Sequence, residues 1–254
     1  MGITTKNYCW ICGALADSSE HRIKKSDMVR SYGHGPYSGP DAPVHVFDHK
    51  QTNIRGPNAS ALKYSPSLCS CCNNCSSQPW DMAYDTFVRW VLENERTVLA
   101  RRLIDFVDVY GDKFGSSQCD LFKYFVKSIG CRLANASVSV PRDLIALFPE
   151  EHFITALKIS FSVNEDVLAM PKKTQRNWLG KGDMLVWKDK VGSSGPAYSW
   201  HESVSWLTVS YWYALEPDGQ FGCPWIANSR YLYLGWYQPL PAEQRAKLQQ
   251  PGLS

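Results

Sequence analysis

Two Cys-x-x-Cys pairs constrain this chain more than any other feature: Cys9-Trp10-Ile11-Cys12 near its start and Cys69-Ser70-Cys71-Cys72 well downstream. Thiolates at that spacing sit on tight turns, and two such turns can clamp one Zn2+ tetrahedrally, closing everything between them into a loop. Residues 8–13 read as the first knuckle, with Gly13 relieving the crowding after its second cysteine. The second pair leaves a choice, because Cys72 with Cys75 repeats the spacing and Cys71 lies between. Cys71 and Cys75, with the distant Cys119, Cys131 and Cys223, are expected to pack as small apolar side chains.

The rest of the sequence favours metal ligation over disulfides. Residues 1–9 contain no apolar signal segment, and no apolar run approaches the roughly 18 residues of a spanning helix. A cytoplasmic protein without membrane attachment is expected, where clustered cysteines stay reduced and the total of nine need not pair. With 254 residues, 44% hydrophobic and 20% charged, the chain can bury one large core or two smaller ones. Its formal charge is only +3, yet residues 1–80 hold eight Lys/Arg against five Asp/Glu while the remainder holds nineteen of each. The excess positive charge therefore lies in the cysteine-bearing part and suits a polyanion partner there.

Periodicity divides the chain further. Residues 32–60 are rich in Gly, Pro, Ser, Asn and His around a short apolar alternation at Val44, Val46 and Phe47, so loops with one or two short strands are expected. Pro79 suits a first helical position, and Trp80, Tyr84, Phe87 and Val91 recur every three or four residues, which predicts helix, with breaks, as far as Tyr110. A further helix is expected over 120–134, with Leu121, Phe125 and Ile129 on its buried side, and a short one over 141–148. Past residue 150 the period becomes two. Leu157, Ile159, Phe161 and Val163 alternate with polar residues, Leu207, Val209, Tyr211 and Tyr213 repeat the pattern, and a turn at 216–219 leads towards a strand near Tyr231–Trp236. Residues 171–182, with Lys172, Lys173, Arg176, Trp178 and Lys181, read as a basic surface loop. Six of the ten tryptophans fall between Trp187 and Trp236 and are expected in the core, and the residues from Pro239 on as a loosely held tail.

Zinc held by four thiolates has no open coordination position, so any chemistry must come from other residues. Inside the closed loop lies Ser18-Ser19-Glu20-His21-Arg22-Ile23-Lys24-Lys25-Ser26, and Asn73-Asn74 follows the second pair directly. Glu20 and an asparagine side-chain oxygen suit a catalytic divalent ion, Mg2+ or Mn2+, and His21 suits taking a proton from water attacking a phosphodiester. His34, His45, His152 and His201 lack that context and read as solvated or structural.

These segments resemble the HNH nucleases. Cys9-x-x-Cys12, Glu20-His21-Arg22-Ile23-Lys24-Lys25-Ser26 and Leu68-Cys69-x-x-Cys72-Asn73-Asn74 are similar to the zinc-knuckle form of that family's ββα-metal, or His-Me finger, core over about the first 80 residues. The resemblance implies Glu20 as metal ligand, His21 as general base and Asn73 as the last family residue, with Asn74 the close alternative. It also implies hydrolysis that leaves a 5′-phosphate and a 3′-hydroxyl. The chain departs from the family at Lys24, where proline is frequent, and at Cys75 and Ser76, where a basic residue is frequent. The family's central residue is open among His49, Asn53 and Asn58. Lys24, Lys25 and Arg30 follow the base as candidate phosphate ligands.

The expected protein is α+β: an HNH-like zinc-bound nuclease domain over 1–92, a helical connecting region over 93–150 and a mostly antiparallel β domain of unknown role over 151–254. Its expected activity is divalent-metal-dependent cleavage of nucleic acid, DNA first. The β domain would serve self-association, or binding of a regulatory ligand or partner. The alternative is a non-catalytic zinc-ribbon module that binds nucleic acid or protein.

Overall fold

The hydrophobic periods of the sequence set most of the elements, which the computed structural model describes over residues 7–47, 50–149, 155–187, 197–215, 224–236 and 241–243. In chain order they are α1 (Lys25–Tyr32), β1 (Val44–Phe47), β2 (Lys50–Asn53), α2 (Gln78–Glu93), α3 (Glu95–Arg101), β3 (Leu103–Asp105), α4 (Phe106–Tyr110), α5 (Phe114–Asn135) and α6 (Arg142–Ala146). They continue with β4 (Leu157–Val163), α7 (Glu165–Leu168), α8 (Lys172–Asn177), β5 (Leu179–Lys181), β6 (Leu185–Trp187), β7 (Ala197–Val204), β8 (Leu207–Tyr213) and β9 (Tyr231–Trp236). The architecture is mixed α+β. Two compact units divide the chain, one of Met1–Trp90 with Phe106–Thr155 and the other of Val91–Asp105 with Ala156–Ser254. Residues 93–150, read from sequence as a connecting region, are thereby shared between the two. His49, His152, Cys223, the turn at 216–219 and residues 239–240 and 244–254 of the tail lie outside the described residues. Among the described residues no helix is long and apolar enough to cross a membrane.

In the first unit α2 and α5 carry the core. Trp80, Tyr84 and Phe87 of α2 are buried, as are Leu121, Phe125 and Ile129 of α5, each at its helical spacing. Tyr84 stacks on Tyr124 with ring centroids 4.0 Å apart. Helix α5 begins at Phe114 rather than 120, because Gly115-Ser116-Ser117 has poor helix propensity and hides the first turns from a sequence reading. Further along it, Gly130 is a docking point. A Cβ there would stand 2.3 Å from Trp10 Cζ2, so the indole of the first knuckle rests directly on the helix backbone. Gly130→Ala is expected to destabilise by about 1–3 kcal/mol through overpacking, despite alanine's better helix propensity. Denaturant unfolding checks this, and an unchanged or higher midpoint would mean that Trp10 moves aside without cost.

The second unit is built on one sheet of order β3-β9-β4-β8-β7-β5, with β6 also paired to β7. All of its pairs are antiparallel except β4 with β9. Alternation sorts the side chains: Ile159, Tyr211 and Trp200 are cross-strand neighbours on the buried face, where Trp200 stacks on Tyr211 at 4.5 Å. The tryptophan expectation holds for Trp200, Trp206 and Trp225, which are buried, and fails for Trp187 and Trp236, which are 50% and 72% exposed as the last residues of β6 and β9. The basic loop is also corrected. Lys172–Asn177 is a helix whose Lys172 Nζ lies 2.7 Å from Glu95 Oε1 and whose Gln175 is buried, while Leu179–Lys181 is a strand.

Candidate functional site

The two knuckles close as their spacing requires. Cys9 N–H donates to Ala14 O, and Gly13, at φ +78°, turns the chain back so that its N–H reaches Cys9 O. In the second knuckle Cys72 N–H donates to Cys69 Sγ at 3.4 Å. The ligand atoms of Cys9, Cys12, Cys69 and Cys72 all lie within 4.8 Å of one another. Sulfurs at about 2.3 Å from a tetrahedral zinc stand about 3.8 Å apart, so the set fits such an ion. The choice left open by the sequence is resolved, because Cys71 and Cys75 are exposed and outside the cluster, which also corrects their expected packing. Cys131 is wholly buried against the cluster, beside Tyr64 and Leu68. The backbone N–H of Cys72 brings the Cys69 thiol down to about 7, while burial and the neighbouring sulfurs push Cys72 up. A bound cation relieves that crowding of thiolates.

The cluster fixes two strand-like segments. Ser18 bridges Leu68 and His21 bridges Lys63, antiparallel, with Ser18 N–H to Leu68 O at 2.9 Å and Tyr64 N–H to Glu20 O at 2.9 Å. Asp17 locks this ladder to the second knuckle by accepting from Ser70 N–H at 2.6 Å. Directly after Cys72, a π-helical turn over Cys71–Cys75 presents Asn73 and Asn74.

A cleft of about 780 Å³ results, and Glu20, His21, Asn73 and Asn74 all line it. Two buried polar atoms of its lining residues, His21 Nε2 and Asn73 Oδ1, have no hydrogen-bond partner among the described residues. Buried polar groups in native proteins are nearly always satisfied, so these two mark a place for a ligand, ion or water. Asn73 is anchored by its other end, Nδ2 donating to Ser18 Oγ at 2.8 Å, which aims the carbonyl oxygen. Asn74 instead donates its Nδ2 to Ser70 O, the backbone of its own turn. Burial first, and then the cations of Lys63, Lys25, Lys24 and Lys127, bring the His21 imidazole down to about 4, so it is neutral at pH 7.

Glu20 does not stand free. Its Oε2 lies 3.1 Å from Lys127 Nζ, an ammonium on α5 whose side chain is 2% exposed. Lys127 also reaches Asp81 at 3.3 Å, and Asp81 takes Lys24 Nζ at 2.7 Å. Burial works against the charge on Asp81, but the two ammoniums outweigh it and hold the carboxyl below its usual range. Burial likewise works against Lys127, and Glu20 and Asp81 outweigh it to hold its pKa up. Ser77 Oγ donates to Asn73 O at 2.7 Å and lies 3.4 Å from Lys127 Nζ, which ties both candidate oxygen ligands to one network.

The candidate phosphate ligands separate. Lys24 is committed to Asp81 and Arg30 to Asp27, whereas Lys25 is exposed on the cleft and has no ion-pair partner among the described residues. Lys63, also on the cleft and without such a partner, was not singled out in the sequence; its bridge to His21 is what brings it there. Asn53 and Asn58 are exposed and line no part of the cleft, so neither described candidate for the central family residue is placed at the site. Glu20 and Asn73 both line the cleft with side-chain oxygens, the Glu20 carboxylate being held by Lys127. Comparison with family models, curated proteins and solved structures finds no match to the chain.

Proposed function

We propose that the first unit is a divalent-metal-dependent nuclease of the HNH type, with Zn2+ in the four-cysteine cluster and nucleic acid, DNA first, as substrate. The observation that supports it is that one cleft is lined by both His21 and Asn73, whose buried Nε2 and Oδ1 have no hydrogen-bond partner among the described residues. In this reading His21, neutral at pH 7, takes the proton of the attacking water, and Asn73 and Glu20 hold the ion. A divalent cation bound there supplies polarisation of the phosphate and stabilises the departing alkoxide. Lys25 and Lys63 at the cleft meet neighbouring phosphates.

The test is cleavage of plasmid DNA and of RNA by the purified full chain with Mg2+ or Mn2+. His21→Ala should lower the rate by about 10²–10⁴-fold, the usual contribution of a positioned base, with zinc content unchanged. A variant that cuts at the wild-type rate would remove His21 as the base. A wild-type protein that cuts neither substrate would remove the nuclease reading.

One observation favours a second reading, a non-catalytic zinc module that binds nucleic acid or protein. The Glu20 carboxylate already has a cation at 3.1 Å in Lys127, so the ladder and α5 can use it purely as a fastening. That reading predicts bound zinc, no metal-stimulated cleavage, and binding that survives Glu20→Gln.

A further inference from the structure

A second cleft, on the less buried face of the second unit's sheet, holds groups that the nuclease reading does not use. Cross-strand register places Lys158, Trp212, Ser199 and Leu185 in one row, and Ser160, Ser210 and His201 in the next. Three of these are serines, so the centre of the face is floored by hydroxymethyl groups where larger side chains would otherwise fill it. The hollow they leave measures about 570 Å³, within the range of small-molecule sites.

Its walls and ends are chemically distinct. Trp187 and Trp212 form an aromatic corner, with ring centroids 5.9 Å apart and planes at 50°, and Trp187 is fixed by Nε1 donating to Ser199 Oγ at 2.9 Å. Trp187 is half exposed and lines the cleft. Lys158 and Asp183 also line the cleft, and neither has an ion-pair partner among the described residues. The hydroxyls of Ser160 and Ser210 likewise have no protein partner among the described residues.

The geometry points to a nucleotide site: a mononucleotide whose base stacks on the indole of Trp212, with its phosphate on Lys158 and its hydroxyl or amino hydrogens on Asp183 and the serine floor. Indole faces take a planar ring of any base, and an ammonium with no ion-pair partner among the described residues selects for an anion attached to it. A neutral sugar would leave Lys158 unused, and an apolar ligand would leave the serine floor unsatisfied. The site stands whether or not the first unit cleaves nucleic acid.

Isothermal titration of the full chain with AMP, GMP, CMP and UMP tests it. At least one should bind with one site per chain, and at least tenfold more tightly than its nucleoside. Trp212→Ala should weaken binding by tenfold or more. Lys158→Glu should abolish the preference for nucleotide over nucleoside, with circular dichroism unchanged. Competition by a short oligothymidylate would identify the same chemistry presented by a strand end and supports the site. No binding by any of the four at millimolar concentration, or binding retained in both variants, overturns it. So does a methyl glucoside that binds through Trp212 where the nucleotides do not.

Discussion

Removing the metal from the four-cysteine cluster should unfold the N-terminal part of the first unit, and this is the largest effect expected for the protein. The sulfurs of Cys12 and Cys69, 57 positions apart in sequence, stand 3.6 Å from each other. What surrounds them is a small core of Tyr64, Leu68 and Cys131 with Trp10 and Ile11 packed against it. Between residues 12 and 69 lie the Glu20-His21 segment, helix α1 and a stretch of loops with two four-residue strands among the described residues, so the ends are held together by the cluster and by the short ladder that it anchors. Structural zinc contributes about 10–16 kcal/mol in small zinc domains, as much as the whole stability of a typical domain. The purified chain should carry one zinc. Cys72→Ser, or a strong chelator, should abolish hydrogen-exchange protection along the ladder of 17–22 with 62–68, while the sheet of the second unit keeps its own protection. Full protection of that ladder after zinc loss has been verified by metal analysis would sink the idea.

Much of the candidate site was legible because its residues lie in two short segments, each marked by a Cys-x-x-Cys spacing. Cys9, Cys12, Cys69 and Cys72 meet as Cys-x-x-Cys pairs do, and the dipeptide Glu20-His21 and the asparagine after the second knuckle reach one cleft. What could not be read was which neighbours these residues acquire from afar. Lys24 looks like a phosphate ligand in sequence and is instead held by Asp81, 57 positions on. Lys63 looks like a surface lysine and becomes a cleft residue only through its bridge to His21.

The fold divides in the same way. Strands β4, β8 and β9 are visible from alternation, yet β7 was missed although Tyr198 and Trp200 alternate with Ser199 and His201. Its hairpin to β8 turns at Ser205, at φ +52°, where glycine or asparagine would have announced the turn. The three-residue β3 pairs with β9, more than a hundred residues later, and a pairing of that range leaves no local signal. The helix over Lys172–Asn177 was hidden by its charge, because its one buried face is carried by a polar residue, Gln175.

Lys127 is the least legible residue of the site and the one whose loss should cost most after the metal. It falls on α5 between Tyr124 and Cys131, three residues after one buried side chain and four before another, so helical spacing alone turns it inward. There its ammonium neutralises two carboxylates from different parts of the chain, Glu20 on the ladder and Asp81 on α2. Lys127→Met keeps the volume and removes the charge, which leaves Glu20 and Asp81 facing each other with Lys24 as the remaining cation. Breaking a buried pair in this way costs about 3–5 kcal/mol. For a protein of this size that is a fall of roughly 6–20 °C in Tm. Adding Glu20→Gln to Lys127→Met should restore part of the loss, since one of the stranded charges is gone, and the double-mutant cycle measures the coupling. The same pair of variants separates the two functional readings. If Glu20 only fastens the ladder to α5, the double variant should recover nucleic-acid binding together with stability. If Glu20 holds the catalytic ion, the double variant should regain stability and stay inactive in cleavage. A Lys127→Met protein as stable as the wild type would show that neither carboxylate depends on this ammonium.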